Sequence, residues 1–478
     1  MTQLTETVAT EKQAEQSLIE RKFRIRERGS TPAREIRGGI TTFIAMSYIV
    51  LLNPLILGGA ADLTGAKLTN AELTTATALA AAIMTILMGV VGNAPLALAA
   101  GLGVNGIVAY QLAPAMSWAQ AFGLVVLEGV CIVLMAVSGV RERIINAIPA
   151  AIKTAITVGI GLYIALVGLV SAGFVTRTPD SAGTTVPVRM GVNGHLNGLP
   201  MIVFCFGLLL MIVLVARKVP GAILISILSA TALAVALNAK FHPKNWGLIT
   251  PALPHHVVSA PDFALLGHVD LFGGFASAGL VSAVVFLFTL VLSGFFDAMG
   301  TITGVCAEAG LTDRDGRVRG MGRILLVDGA GAIAGGVTGS APNTVFLESA
   351  AGVGEGARTG LASVVTGALF AVTLLLTPLA GVVPAQAAAP ALVVVGGMMM
   401  AQCRNIPWQD PDYLLPVFLT IVLIPFTYSI TNGIGAGLIA FVAVKTCRGR
   451  WREAGWLVTA IAVLFTIYFA IDGVRALF

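Results

Sequence analysis

Long apolar runs separated by short polar stretches fill the chain from residue 38 onward. An α-helix needs about 20 apolar residues to cross the roughly 30 Å of hydrocarbon in a bilayer. Runs of this length therefore predict membrane-spanning helices. In the first half of the chain they lie at 38–58, 73–92, 95–111, 117–139, 147–172, 197–216 and 219–238.

A second set of apolar runs follows a polar stretch at 239–278 that is rich in Pro and His. We expect this stretch to be an external loop, because the irregular spacing of its histidines favours solvated residues over a metal site. The region 412–446 would be roughly 50 Å long as one helix, so we divide it near residues 431–433 into two crossings. The other runs of this half lie at 279–306, 322–339, 340–354, 359–380 and 386–403.

Seven runs in each half predict an internal repeat, and because seven is odd the second copy is inverted across the membrane. The expected fold is an all-α polytopic membrane protein with 14 transmembrane segments in a 7+7 inverted repeat. Pro149 and Pro384 open the fifth and twelfth segments. The same offset relates Asn105 to Ser340. The predicted domains are a cytoplasmic tail at 1–35, a first repeat at 36–238, the external loop at 239–278, a second repeat at 279–446 and a C-terminal segment at 447–478.

The apolar run at 454–471 lies in that C-terminal segment. It is either a fifteenth crossing or a helix on the membrane surface, and the sequence leaves both interpretations open. The tail at 1–35 contains no hydrophobic stretch, so we expect no cleavable signal peptide.

Composition supports the membrane interpretation, since 56% of the residues are hydrophobic and only 11% are charged. Soluble proteins carry about 25% charged residues, which argues against a soluble enzyme. We interpret the net charge of +5 as basic cytoplasmic loops and not as a nucleic-acid surface. Arginines and lysines before the first run predict a cytoplasmic N-terminus. The five cysteines show no metal-ligand spacing, and we expect neither a metal nor a cofactor.

Two of the runs are too rich in Gly, Pro and small polar residues to be ordinary lipid-facing helices. They are the third segment, around 95–106, and the tenth, around 335–349. Backbone that leaves the helical conformation at membrane depth is tolerated only where it is buried or lines a cavity. A pair of interrupted segments at matching places in two halves indicates a transport site. We therefore predict that the third and tenth segments are broken half-helices that meet at a substrate.

Four acidic residues, Glu128, Asp297, Asp328 and Glu348, lie within apolar runs. A carboxyl group at membrane depth is by default a functional candidate. Glu348 can accept two parallel hydrogen bonds from the ring N–H groups of a planar heterocycle. Asp297 would supply a second polar contact or carry the coupling proton. For Glu128 and Asp328 we favour helix bracing, with proton coupling as the alternative.

The remaining candidates lie beside these carboxylates or in the interrupted segments. Backbone N–H groups near Gly103 and Ser340 could bind ligand oxygens. Asn105 and Asn343 could hydrogen-bond a heterocycle, and Phe296 and Phe346 could stack on one. Packing within the protein is the competing interpretation for each of these side chains.

Several motifs together resemble the adenine/guanine/hypoxanthine permease family, the purine branch of the nucleobase–cation symporter and nucleobase-ascorbate transporter superfamily. The resemblance spans about residues 34–446. The motifs are the run 40–50 followed by Asn53-Pro54, Gly101-x-Gly103-x-Asn105, Phe296-Asp297-x-x-Gly300-Thr301, Glu348-Ser349-Ala350-Ala351-Gly352-Val353 and Gly356-x-Arg358-Thr359-Gly360-Leu361.

This resemblance implies fourteen helices divided into a core and a gate domain, in a homodimer in the plasma membrane. It implies import of adenine, guanine or hypoxanthine by proton symport with an elevator-type motion. It also implies that Asn105, Asp297 and Glu348 bind the base or couple the ion. The sequence departs from the family pattern in the run 339–344, at Ala100 and at Gly106, which bears on the base preferred.

Other interpretations stay open within and beyond this class. The chain could carry uracil, xanthine or another small planar or anionic solute, and sodium could replace the proton. A channel is disfavoured because its pore would need repeated rings of polar groups. A membrane enzyme is disfavoured because the apolar runs hold no nucleophilic or metal-binding constellation.

Overall fold

The computed structural model describes residues 18–138, 149–178, 187–192, 194–243, 246, 249–253, 256–313 and 318–475, apart from the side chains of Phe296 and of 471–475. Parts of the N-terminal tail, of the predicted basic cytoplasmic loops and of the predicted external loop lie outside the described residues. They are the tail up to residue 17, Arg141, Arg143, His255, Arg314 and Arg317.

The first half of the described chain is helical, with one interruption in the predicted third segment. Its elements are α1 (Leu18–Phe23), α2 (Pro32–Met46), α3 (Ile49–Gly58), α4 (Asn70–Leu87), β1 (Leu98–Ala100), α5 (Leu102–Ile107), α6 (Trp118–Ser138), α7 (Ala150–Ser171), β2 (Val175–Arg177), β3 (Val188–Met190), α8 (Leu199–Ala216) and α9 (Ala222–Phe241). A wider π-helical turn, Met88–Gly92, extends α4, and another, Val108–Leu112, extends α5.

The described residues of the second half are also mainly helical and include one short strand. Its elements are α10 (Gly273–Ser277), α11 (Leu280–Glu308), α12 (Met321–Thr338), β4 (Asn343–Val345), α13 (Ser349–Gly354), α14 (Gly360–Thr373), α15 (Thr377–Ala380), α16 (Ala385–Met400), α17 (Leu414–Phe426), α18 (Ile430–Cys447), α19 (Trp451–Ala454) and α20 (Trp456–Arg475). The strands pair as β1 with β4 and β2 with β3, both antiparallel.

Eleven helical stretches among the described residues are long and apolar enough to cross a membrane. The first of them, Pro32–Gly58, contains both α2 and α3 and is interrupted at Ser47 and Tyr48. Two apolar helices are shorter, Leu414–Phe426 and Trp456–Ala470. This number of apolar helices in one chain is typical of a polytopic membrane protein.

The long run 412–446 is divided, as we expected, but the division lies at 427–429 and not at 431–433. The residues on either side of the break explain why it lies earlier in the chain than predicted. Pro425 is in the last turn of α17, and Ser429 caps α18 by accepting a hydrogen bond from Asn432 N at 3.2 Å. The Asn-Gly pair that suggested a break is instead in the first turn of α18.

The membrane helices pack as two groups. In the first packing group, α2, α4, α6, α12, α13 and α14 contact one another most extensively, with α3, α5 and α11 beside them. The second packing group consists of helices that likewise contact one another most extensively, namely α7, α8, α9, α16, α17 and α18. The contacts within each group outnumber those between the groups, so the groups meet along a comparatively narrow boundary.

Glycines allow the closest helix contacts, and the pair α7 and α16 gives the clearest case. A Cβ atom at Gly396 of α16 would lie 2.3 Å from the carbonyl oxygen of Gly161 on α7. A Cβ at the next residue, Gly397, would have nothing within 4 Å. The backbones of α7 and α16 therefore touch at one face of α16 only, as small residues permit in membrane helix pairs.

A buried ion-pair cluster attaches α19 and the C-terminal end of α18 to the loop before α17. Asp412 accepts a hydrogen bond from Lys445 Nζ at 2.9 Å and also pairs with Arg448 and Arg450. Hydrogen bonds from Lys445 and Arg448 lower the pKa of Asp412 to about 2. The carboxylate therefore stays ionised over the physiological pH range and holds this end of the second packing group together.

We expect Gly396→Ala to lower the thermal stability of the purified protein and Gly397→Ala to leave it unchanged or raise it slightly. Forcing a methyl group into the contact with α7 should cost about 1–3 kcal/mol. At Gly397 the same methyl group has space, and Ala favours a helix by about 1 kcal/mol over Gly. Thermal unfolding of both variants in detergent measures the difference. Equal stabilities would contradict the close contact.

Candidate functional site

The two interrupted segments cross each other inside the first packing group. In β1 and β4, Leu98 pairs with Val345 and Ala100 with Asn343, and all six strand residues are buried. Each preceding helix ends in a left-handed residue, Asn93 at φ 45° and Gly339 at φ 81°. These residues turn the chain out of the helical path and into the extended conformation.

Side chains from neighbouring helices satisfy the backbone groups that the helices leave open. Thr85 Oγ1 of α4 accepts from Leu98 N and donates to Leu98 O, both at 2.9 Å. Asp328 Oδ1 of α12 accepts from Val345 N at 3.2 Å and from Thr344 Oγ1 at 3.0 Å. One polar side chain of a neighbouring helix thus holds each strand.

Further bonds join the two interruptions directly. Gly101 N donates to Pro342 O and Phe346 N donates to Ala97 O, each at 2.9 Å. Ala97 N donates to Ser349 Oγ at 3.0 Å. Because each segment supplies partners for the other, the crossing keeps its hydrogen bonds without water.

A cleft of about 140 Å³ opens beside this crossing, at the boundary between the two packing groups. The first group contributes side chains and backbone near both interruptions, and the second contributes α7 and the end of α16. The lining residues include Tyr48, Gly101, Gly103, Asp297, Thr301, Phe346 and Glu348 from the first group, with Thr157, Val395, Met398, Met399 and Gln402 from the second. A volume several times the roughly 30 Å³ of a water molecule admits an organic ligand.

Two carboxyl groups face this cleft. Glu348 follows β4, and its Oε1 accepts a short hydrogen bond from the Tyr48 hydroxyl. Tyr48 lies in the turn between α2 and α3 and immediately precedes the first residue of α3. Asp297 of α11 lines the same cleft and interacts electrostatically with Glu348.

A buried polar network supports the back of the crossing. Asn53 Nδ2 donates to Ser340 Oγ at 3.0 Å and to Thr77 Oγ1 at 2.9 Å. Asn105 Nδ2 donates to Asn53 Oδ1 at 3.2 Å. The network links α3, α4, α5 and the residue after Gly339, so it fixes the position of α5 against the second interruption.

The predicted site residues therefore separate into two sets. The structure brings Gly103, Asp297, Phe346 and Glu348 together around the cleft. The other candidates lie elsewhere: Asn105 and Ser340 are in the buried network, Asn343 is buried within β4, Asp328 holds β4, and Glu128 is buried on α6. The side chain of Phe296 lies outside the described part of the structure.

Several cleft residues were missed in the sequence interpretation. Tyr48 of the cleft carried a signal, as did Asn53 of the buried network, because a lone hydroxyl or amide within an apolar run needs a partner. Thr157, Met398 and Gln402 carried none, since nothing in their segments distinguishes a cleft-facing position from a packed one. Among the described residues, no three His, Cys, Asp or Glu side chains cluster as metal ligands would.

The sequence pattern of a family described as "Permease family" matches residues 33–435. The match covers most of the chain, including both interruptions and every residue of the cleft. The chain belongs to this permease family.

Curated relatives extend over nearly the whole permease. The adenine permease AdeP of Escherichia coli is 36% identical over 95% of this chain and 96% of its own length. The guanine/hypoxanthine permease PbuO of Bacillus subtilis is 35% identical over 93% of this chain and 99% of its own. A second Bacillus subtilis protein, the guanine/hypoxanthine permease PbuG, is 34% identical over 94% of this chain.

Solved structures with the same fold are membrane transporters of low sequence identity. The transmembrane domain of a cyanobacterial bicarbonate transporter, BicA, aligns with a TM-score of 0.56 at 16% identity, covering 86% of this chain and 97% of that one. The murine anion transporter Slc26a9 aligns with a TM-score of 0.60 at 12% identity, covering 87% and 69%. Together with the family, these findings make the permease a multi-pass membrane transporter and not an enzyme.

Proposed function

We propose that this permease imports purine nucleobases, namely adenine, guanine or hypoxanthine, and that it does so by proton symport. The single observation that carries the proposal is the pair of carboxyl groups, Glu348 and Asp297, in one cleft beside two interrupted segments. Relatives named as adenine and guanine/hypoxanthine permeases support the substrate class.

In this proposal Glu348 recognises the ring N–H groups of the base. Oε1 of Glu348 already accepts from Tyr48, so the other oxygen, Oε2, is the one that receives the N–H of the ligand. Hydrogen bonds to an ionised acceptor are stronger than those between neutral groups, which favours a ligand rich in donors. Phe346 and the backbone between Gly101 and Gly103 would contact the ring faces and edges.

Asp297 would provide the second polar contact in the cleft or carry the coupling proton. A carboxylate in surroundings of low polarity is stabilised by a proton or by a partner. The negative charge of nearby Glu348 adds to this preference. Protonation of Asp297 would therefore accompany occupation of the cleft.

The proposed mechanism moves the first packing group against the second. Residues 36–238 and 279–446 would form two inverted repeats of seven segments, with β1–α5 and β4–α13 as the broken third and tenth segments. The first packing group is then the core domain, which carries the base, and the second is the gate. The two groups share few contacts, which supports an elevator-type motion in a homodimer in the plasma membrane, with a cytoplasmic N-terminus.

We expect cells that lack their own purine permeases to take up radiolabelled adenine, guanine or hypoxanthine when they express this protein. Uptake should fall when a protonophore removes the proton gradient and should not depend on sodium. Unlabelled uracil and xanthine serve as competitors that define the substrate class. Surface-expressed protein without uptake of any of the three purines would refute the proposal.

Glu348→Gln should abolish uptake while the protein still reaches the membrane. The amide replaces an acceptor oxygen with a donor, so it can no longer bind Tyr48 and a ring N–H at once. Glu308→Gln makes the same chemical change at an exposed position and should transport normally. Normal uptake by Glu348→Gln would exclude Glu348 from substrate binding.

Tyr48→Phe tests whether Tyr48 positions Glu348. Loss of one hydrogen bond to a charged group corresponds to about 1.5–3 kcal/mol, so we expect KM to rise by roughly tenfold or more. The maximal rate should change little, because the carboxylate itself is retained. Tyr413→Phe, outside the cleft, is the matched control. An unchanged KM, or a fall in maximal rate alone, would show that Tyr48 does not position the carboxylate.

A further inference from the structure

A buried carboxyl group away from the cleft is not explained by the proposed recognition of the base. Glu128 lies on α6 with 0% of its surface exposed. Neither of its carboxyl oxygens has a hydrogen-bond partner among the described residues. An ionised carboxylate without donors is far more costly in such surroundings than a neutral one. Glu128 therefore holds a proton in this conformation.

The helix that carries Asp297 passes directly over Glu128. A Cβ atom at Gly294 of α11 would lie 2.5 Å from Glu128 Oε1, so the absence of a side chain there makes room for the carboxyl group. Gly294 precedes Asp297 by three residues, which places the two positions about 4.5 Å apart along the axis of α11. Residues with this spacing are neighbours on the surface of a helix.

The carboxyl group of Asp328 interacts electrostatically with both Glu128 and Asp297. Two donors, Thr344 Oγ1 and Val345 N, hydrogen-bond to Asp328 Oδ1, whereas Glu128 has no such donor among the described residues. Whenever Asp328 is ionised, its negative charge disfavours a second charge on Glu128.

Among the described residues, Asp328 on α12 and Cys131 on its own helix interact electrostatically with Glu128. Asp297 on α11 interacts in turn with Asp328. No cation among them compensates a charge on Glu128.

We propose that Glu128 is the proton-binding site that couples proton movement to transport. The inference rests on the proposed function, because it needs a proton symporter. The proton passes from an oxygen of Glu128 to an oxygen of Asp297, which leaves Glu128 ionised and Asp297 neutral. An ionised Glu128 needs water or a new donor, so release of its proton requires a conformation other than the one described here. Proton occupancy and conformation are linked in this way.

Purified protein in liposomes separates coupling from binding. One assay measures exchange of internal base for external radiolabelled base without a pH gradient. The other measures accumulation of base driven by an inward proton gradient. Glu128→Gln keeps the size and shape of the side chain but cannot carry a proton. We expect this variant to retain exchange and to lose gradient-driven accumulation together with the pH dependence of net uptake.

Two further variants complete the comparison. Glu308→Gln, at the exposed end of α11, should resemble the wild type in both assays. Glu128→Asp keeps an ionisable carboxyl group and should retain proton-driven accumulation. Size-exclusion elution of each variant verifies that it is folded.

The inference is overturned if Glu128→Gln accumulates base as the wild type does. It is also overturned if the folded variant loses exchange and accumulation together, because Glu128 would then support the structure or the substrate site. Failure of the wild type to accumulate base under a proton gradient would refute the proposed proton symport itself, and the inference with it. That last result is obtained with the wild type alone. Failure of the proposed proton symport can therefore be distinguished from failure of the inference about Glu128.

Discussion

The structure depends on one constraint, which is that backbone N–H and C=O groups at membrane depth need partners within the protein. Helices meet this constraint by themselves, but the stretches around residues 94–101 and 340–348 cannot. They meet it by pairing with each other, and Thr85 and Asp328 provide the remaining partners. The buried strand pair is thus a consequence of interrupting two helices in the same place.

The interruption also creates the cleft. A continuous helix presents only side chains, whereas the crossing presents backbone at Gly101 and Gly103 next to the carboxylate of Glu348. The position of the cleft at the boundary of the two packing groups gives it a wall on each side. Any relative displacement of the groups would therefore alter the site directly.

The acidic residues show how local partners give similar side chains different roles. Glu348 has a phenol donor, and Asp328 has a hydroxyl and a backbone N–H. Glu128 has no donor among the described residues. A carboxyl group with donors is stabilised as an anion, and one without donors is stabilised as an acid. Glu128 and Asp328 interact electrostatically, so a proton on one of these two residues affects the other.

The sequence by itself determined the membrane class and most helix positions, because these depend on local composition and residue spacing. It also made Asp297 and Glu348 site candidates, since a carboxyl group in an apolar run is conspicuous. Only the tertiary structure decided which candidates share a cleft. The spacing of the elements illustrates the reason: Ala150 and Ala385, which begin α7 and α16, are 235 positions apart, whereas Leu98 and Asn343, which begin the strands β1 and β4, are 245 apart. No single offset therefore relates both pairs of elements. Insertions between helices change such offsets, and contacts like that of Tyr48 with Glu348 join residues 300 positions apart, so no local pattern encodes them.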